Sequence, residues 1–145
     1  MATGQLACQR PRSLLHLDGA PVFLYHGLIE DPIIEGPPRK RRYWVVASQF
    51  RDHLNQIRQS RYQLILLKEL WTSMGAGSHG KPVAGLTFDD GLESDYQLAY
   101  PLLLEAGAKA DFFVNTSDIG LRGHLGWQQI TDDAAKWDVL PIPQP

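Results

Sequence analysis

Cysteine and long apolar runs are both scarce in this chain. Cys8 is the only cysteine among 145 residues, which excludes an internal disulfide framework and a zinc site built on cysteine thiolates. No segment reaches the roughly 18 apolar residues of a membrane-spanning helix. The net charge of −2 gives no reason to expect a polyanionic partner. We therefore expect one globular domain, or part of a larger one, with no nucleic-acid partner and no membrane span.

The N-terminus also lacks a recognisable targeting signal. Arg10, Arg12 and Asp18 interrupt a few scattered leucines, so residues 1–19 contain no continuous apolar core of a signal peptide. We predict a mobile lead-in over these residues, and the localisation of the protein stays unassigned. The basic cluster Arg39–Arg42 has no second basic stripe to accompany it and indicates a solvated loop.

Short apolar runs alternate with amphipathic segments along the rest of the chain. Strands are predicted at Pro21–His26, Tyr62–Leu67, Val83–Leu86 and Ala110–Val114. Strands and helices that alternate at this spacing indicate βαβ units and a parallel sheet. The predicted fold class is therefore α/β.

The longest predicted helix lies between the first two strands. Ser48 is suited to cap its N-terminus, and Phe50, Leu54 and Ile57 follow on one face. The pattern ends near Arg61. A short helix is also predicted to begin within residues 68–71.

A further helix is predicted over residues 94–106, with Gly107 closing it. Pro101 lies inside this pattern and predicts either a kink or a late start, because proline lacks the backbone N–H that a helix interior needs.

Two adjacent carboxylates, Asp89 and Asp90, stand where an apolar strand ends and Gly91 permits a turn. Such a pair repels itself unless a cation or a shared proton relieves the repulsion. Parallel sheets bind their ligands at the carboxyl ends of strands, so the pair indicates chemistry. The alternative is an Asp-Gly turn with its acidic neighbour in water. His26 ends the first strand and is a third candidate, with a structural role as its alternative.

Four ordered segments carry a resemblance to one family: Pro21–His26, Thr87–Gly91, Ala110–Val114 and Leu125–Trp127. They resemble segments of the polysaccharide deacetylases, the NodB-homology domains of carbohydrate esterase family 4. The resemblance covers roughly residues 20–130, the N-terminal part of such a domain. It implies a partial distorted (β/α) barrel, truncated after about four strands. Residues 131–145 form a divergent, proline-rich tail.

The resemblance also implies an activity, a cofactor and a substrate. The family removes N-acetyl, and sometimes O-acetyl, groups from sugar polymers with a divalent metal, usually zinc. By position, Asp89 would be the general base and Asp90 a metal ligand. His26 and Trp127 are candidate substrate contacts, and the implied partner is a polysaccharide such as an N-acetylglucosamine polymer.

The second motif of the family, His-Ser/Thr-x-x-His, is missing from this sequence. It would supply two metal ligands, yet no two of the five histidines stand four residues apart. A catalytic zinc site generally has three protein ligands, so we expect this chain to be inactive alone. His79 and His124 are conceivable substitutes, although a solvated side chain is the simpler expectation for His124 in its glycine-rich loop.

Other classes of function stay open at this point. A non-catalytic carbohydrate-binding or assembly partner could stack sugar rings on Tyr25, Phe88 and Trp127, although packing explains these aromatics equally well. A truncated barrel would also expose open sheet edges, which favour self-association. A receiver domain places acidic residues at strand ends too, but here the acidic pair comes too late in the chain.

Overall fold

The computed structural model of the chain describes residues 20–30, 43–75, 81–131 and 138–142. The predicted lead-in over 1–19, nearly all of the loop over 30–42 and most of the glycine-rich loop over 75–80 lie outside these residues, as does His79. No helix within the described segments is long and apolar enough to cross a bilayer.

Seven strands and four α-helices make up the described residues. The strands are β1 Val22–Tyr25, β2 Leu28–Ile29, β3 Val45–Val46, β4 Gln63–Leu64, β5 Val83–Phe88, β6 Asp111–Asn115 and β7 Asp138–Ile142. The helices are α1 Ala47–Gln59, α2 Leu67–Gly75, α3 Tyr100–Ala106 and α4 Trp127–Thr131. A π-helical segment, Asp95–Ala99, directly precedes α3.

All strand pairs among the described residues are parallel, so the predicted α/β class is confirmed. The larger sheet has the order β1-β5-β6-β7, with β4 paired to the first residues of β5. Strands β2 and β3 form a separate pair. In β5, Val83 is partly exposed and the other five residues are buried, as expected for a strand covered on both faces. The described strands do not close into a barrel.

The core lies where α1 and α3 pack against β5 and β6. Phe50, Leu54 and Ile57 are buried together, as the helical spacing predicted. Phe88 stacks on Phe112 with ring centroids 4.9 Å apart. Burial of side chains of this size contributes about 2 kcal/mol each, which fixes the strand ends that carry the polar residues.

Two expectations about element boundaries were wrong. Ser48 is not the N-cap of α1, because the pairing of β3 with β2 ends at Val46 and the helix starts in the next residue. The predicted strand Tyr62–Leu67 is reduced to Gln63–Leu64. Pairing with β5 stops after Ile65, and Leu67 starts α2 instead, because Leu66 and Leu67 donate their N–H groups to carboxylates rather than to a neighbouring strand.

Pro101 has the effect that its position predicted. The chain is π-helical up to Ala99, and Tyr100 donates its N–H to the carbonyl oxygen of Asp95, five residues back. Helix α3 begins only at Tyr100, so Pro101 occupies its first turn, where the missing N–H costs nothing. Gly107 closes α3 in the left-handed conformation with φ of 61°, as predicted.

The proline-rich end contributes a strand that its sequence did not predict. β7 pairs with β6 along its whole length, with Pro141 in register with Val114. It lies at the end of the sheet, the position where proline is tolerated because one side of the strand needs no donor.

Candidate active site

The carboxylate pair lies at the C-terminal end of the central strand β5. Asp89 continues the parallel pairing with β1, since its N–H donates to the carbonyl oxygen of Tyr25 at 2.9 Å. Asp90 then adopts a φ of 79° and Gly91 a φ of 63°. Consecutive side chains of a strand point to opposite faces, so this left-handed turn is what changes the direction of Asp90. A left-handed non-glycine residue is strained, and such strain is concentrated at functional sites.

Gly91 is required for steric reasons as well. A Cβ atom built on Gly91 would lie 2.7 Å from Cγ1 of Val114, a side chain of the neighbouring strand β6. The turn after the two carboxylates is therefore pressed directly against the core of the sheet.

His26 is brought into contact with the pair. Its Nδ1 lies 3.1 Å from Oδ2 of Asp90, and since an ionised carboxylate can only accept, the imidazole donates. The two side chains are 31% and 49% exposed, so the contact is open to solvent on one side. The ring of Tyr43 stands 5.5 Å from that of His26. Two strand ends that are far apart in sequence thus share one small polar cluster.

Asp89 is the more shielded of the two carboxylates. Burial raises its pKa above the usual range; His26 lowers it in part, and the negative charge of Asp90 raises it again. A raised pKa makes a carboxylate a stronger base once it is ionised. The neighbouring acids therefore differ in environment: Asp89 is half-buried and Asp90 is exposed.

Trp127 is the first residue of α4 and is 64% exposed. Its segment is tied to the turn after the carboxylates, because the N–H of Leu125 donates to the carbonyl oxygen of Gly91 at 2.9 Å. Packing therefore does not account for Trp127. It does account for Phe88, which is fully buried, and for Tyr25, which packs against Phe88 and Phe50.

The described residues do not supply a closed set of metal ligands. No three His, Cys, Asp or Glu side chains among them are placed to hold one ion. The fit to a catalytic zinc, which generally takes three protein ligands, is therefore incomplete. His124 is half-buried and its Nδ1 is buried without a hydrogen-bond partner, so the expectation of a solvated side chain was wrong. His124 is held in this position by an antiparallel bridge to Leu92, which ties the loop of His124 to the turn after Asp90.

Two residues beside the pair were missed in the sequence. Tyr43 lies at the edge of a proline-rich loop, and nothing in the sequence indicates its contact with His26. Asp95 is fully buried and accepts a hydrogen bond from the N–H of Leu92. An acid three residues after a helix start is half of a capping box, which was an available signal.

Comparison with known proteins supports the family that the sequence resembles. A sequence model of the family described as "Polysaccharide deacetylase" matches residues 76–136. YxkH of Bacillus subtilis (strain 168), a protein named as a polysaccharide deacetylase, is 29% identical over 117 residues, which are 79% of this chain and 38% of YxkH.

Solved structures share the fold. The Streptococcus pyogenes deacetylase PplD in complex with acetate has a TM-score of 0.71 and 23% identity, over 84% of this chain and 55% of its own. IcaB from Ammonifex degensii has a TM-score of 0.71 and 24% identity, over 86% of this chain and 52% of its own. The chain is therefore similar to part of a polysaccharide deacetylase domain, the family that its sequence resembles, and it spans about half the length of these two structures.

Proposed function

We propose that this chain supplies the carboxylate half of the active site of a hydrolase that removes acetyl groups from a polysaccharide. The observation that carries the proposal is the turn at the end of β5, where Asp89 and Asp90 meet His26 from the end of β1. N-acetyl groups on an N-acetylglucosamine polymer are the proposed substrate, with O-acetyl groups as a variant of the same chemistry.

The environments of the two acids support a division of roles. Burial raises the pKa of Asp89. We propose that Asp89 is the general base, which accepts a proton from the water that attacks the acetyl carbonyl. Asp90 is more exposed and is proposed as a ligand to a divalent metal, with zinc as the proposed ion. His26 and Trp127 are proposed to contact the sugar, which their exposure allows.

The metal would polarise the acetyl carbonyl when bound. The described residues provide Asp90 alone of a ligand set that generally numbers three, so we propose that these 145 residues by themselves are inactive. We further propose that the sheet is part of the distorted barrel of the family. Val22 and Leu24 of its end strand β1 are 47% and 57% exposed, an apolar face that such a barrel, or self-association, would cover.

A non-catalytic carbohydrate-binding role is the second candidate, and the exposed Trp127 favours it. The two functions differ in a simple way. Sugar affinity that needs Trp127 but neither carboxylate would identify a binding module, whereas a requirement for Asp89 in turnover identifies the hydrolase.

Acetate release from an N-acetylglucosamine oligomer tests the proposed function. The enzyme would be a chimera in which this chain replaces the matching segment of YxkH, compared with the 145-residue chain. We expect release by the chimera with zinc present and none by the chain alone. A folded chimera that binds zinc and releases no acetate would overturn the deacetylase proposal. Acetate release by the 145-residue chain alone would overturn the proposal that this chain is inactive by itself.

A further inference from the structure

Asp95 is a fully buried acid that the proposed chemistry does not use. Its Oδ2 accepts the N–H of Leu92 at 2.9 Å, and its Oδ1 is buried with no hydrogen-bond partner. Burial raises the pKa of Asp95 well above its usual range; the Leu92 bond lowers it in part, and the charges of Asp90 and Asp89 raise it further. A buried acid with an unpaired oxygen is costly, so stability alone does not explain it.

The contact between Asp95 and Leu92 is reciprocal. The N–H of Asp95 donates to the carbonyl oxygen of Leu92 at 2.9 Å, while the side chain of Asp95 accepts from the N–H of Leu92. The side-chain bond is half of a capping box, in which an acid in the first helical turn accepts from the N–H of the residue that starts the helix. The two bonds fix the backbone of Leu92, which follows the left-handed residues Asp90 and Gly91 directly.

The side chain of Leu92 also packs against the segment that carries His26. A Cβ atom on Gly27 would lie 2.9 Å from Cδ1 of Leu92, so the leucine packs directly on the residue after His26. Close by, the N–H of Leu28 donates to Oγ of Ser94 at 3.3 Å. One short segment, residues 92–95, therefore follows the carboxylate turn and also contacts the two residues after His26.

We infer that Asp95 is a positioning residue that holds His26 and Asp90 at hydrogen-bond distance through Leu92. The inference rests on the proposed function for its significance, because that function gives the His26–Asp90 pair its role. The geometric part of the inference does not depend on that function: Asp95 bonds to Leu92, and Leu92 packs on Gly27 and follows Asp90 by two residues in the chain. The unpaired Oδ1 is the cost of placing a carboxyl acceptor in this buried position.

Nuclear magnetic resonance of the His26 ring tests this inference on the 145-residue chain without any assay of activity. The Nδ1–H signal of His26 reports the bond to Asp90. We expect Asp95→Ala to lose that signal and to increase amide exchange at Leu92 at least tenfold. Asp95→Asn retains an acceptor oxygen and should preserve both. Glu93→Gln, in the same turn, is the matched control and should change neither.

A folded Asp95→Ala variant that keeps the His26 signal would overturn the inference, because Asp95 would then be a helix cap only. If Asp95→Ala does not fold, Leu92→Ala tests the same contact from the other side and should also lose the signal. Retention of the signal in Leu92→Ala would contradict the inference. A failure of the acetate assay leaves these results unchanged, so the two proposals fail separately.

Discussion

Asp89→Asn in the YxkH chimera is expected to reduce the kcat for acetate release by about 10²–10⁴-fold, the usual contribution of a general base. Asparagine keeps the shape of the side chain but cannot accept the proton, so the loss should appear in kcat with little change in KM. The measurement is steady-state acetate release at saturating zinc. Asp118→Asn, an acid in the turn after β6, is the control and should leave kcat unchanged.

The pH profile of kcat/KM identifies Asp89 as the base more specifically. A base works only when ionised, and burial raises the pKa of Asp89, so the rate should fall as pH drops through that raised pKa. His26 lowers the pKa of Asp89, so His26→Gln should move the acidic limb of the profile to higher pH. An acidic limb that stays in place in His26→Gln, or full activity in Asp89→Asn, would contradict the assignment.

Gly91→Ala should lower the free energy of unfolding by about 2–5 kcal/mol. A left-handed backbone costs an L-residue about 1–2 kcal/mol, and overpacking of a core adds about 1–3 kcal/mol. Both apply here, because Gly91 has a φ of 63° and its added Cβ would lie 2.7 Å from Cγ1 of Val114. Urea denaturation of the 145-residue chain measures the difference.

Gly107→Ala is the matched control for this prediction. Gly107 has nearly the same φ, 61°, but no atom within 4 Å of an added Cβ, so only the backbone cost of about 1–2 kcal/mol should appear. Val114→Ala makes room for the new methyl group at Gly91. The loss in the double variant Gly91→Ala/Val114→Ala should therefore be smaller than the sum of the two single losses. Equal losses at Gly91 and Gly107 would show that the contact with Val114 is not tight.

The sequence predicted the elements whose periodicity is long enough to see. The face formed by Phe50, Leu54 and Ile57 is buried as predicted, and each of the four predicted strands overlaps an observed one. Strands β2 and β3 were missed, because two-residue strands are held by their pairing and leave no pattern in sequence. β7 was missed because its prolines argue against a strand, and only its place at the end of the sheet makes one possible.

The candidate site was predictable in its members but not in its geometry. Asp89 and Asp90 stand out because two acids follow an apolar strand, and His26 because it ends another. Their meeting depends on the parallel register of β1 with β5 and on the left-handed φ of Asp90, neither of which the residue types reveal. The spacing of Asp95 from the helix start was a signal for a cap, but its burial is a property of the packed turn, whereas its residue type predicts exposure.

Zinc affinity of the chimera, measured by calorimetry for Asp89→Asn and Asp90→Ala, tests whether the two acids have different roles. We expect Asp89→Asn to bind zinc with nearly unchanged affinity. Asp90→Ala should bind at least about 10²-fold more weakly, since it removes one of the three ligands that a catalytic zinc generally has. Unchanged zinc affinity in Asp90→Ala, in a folded chimera, would contradict the assignment of Asp90 as a metal ligand.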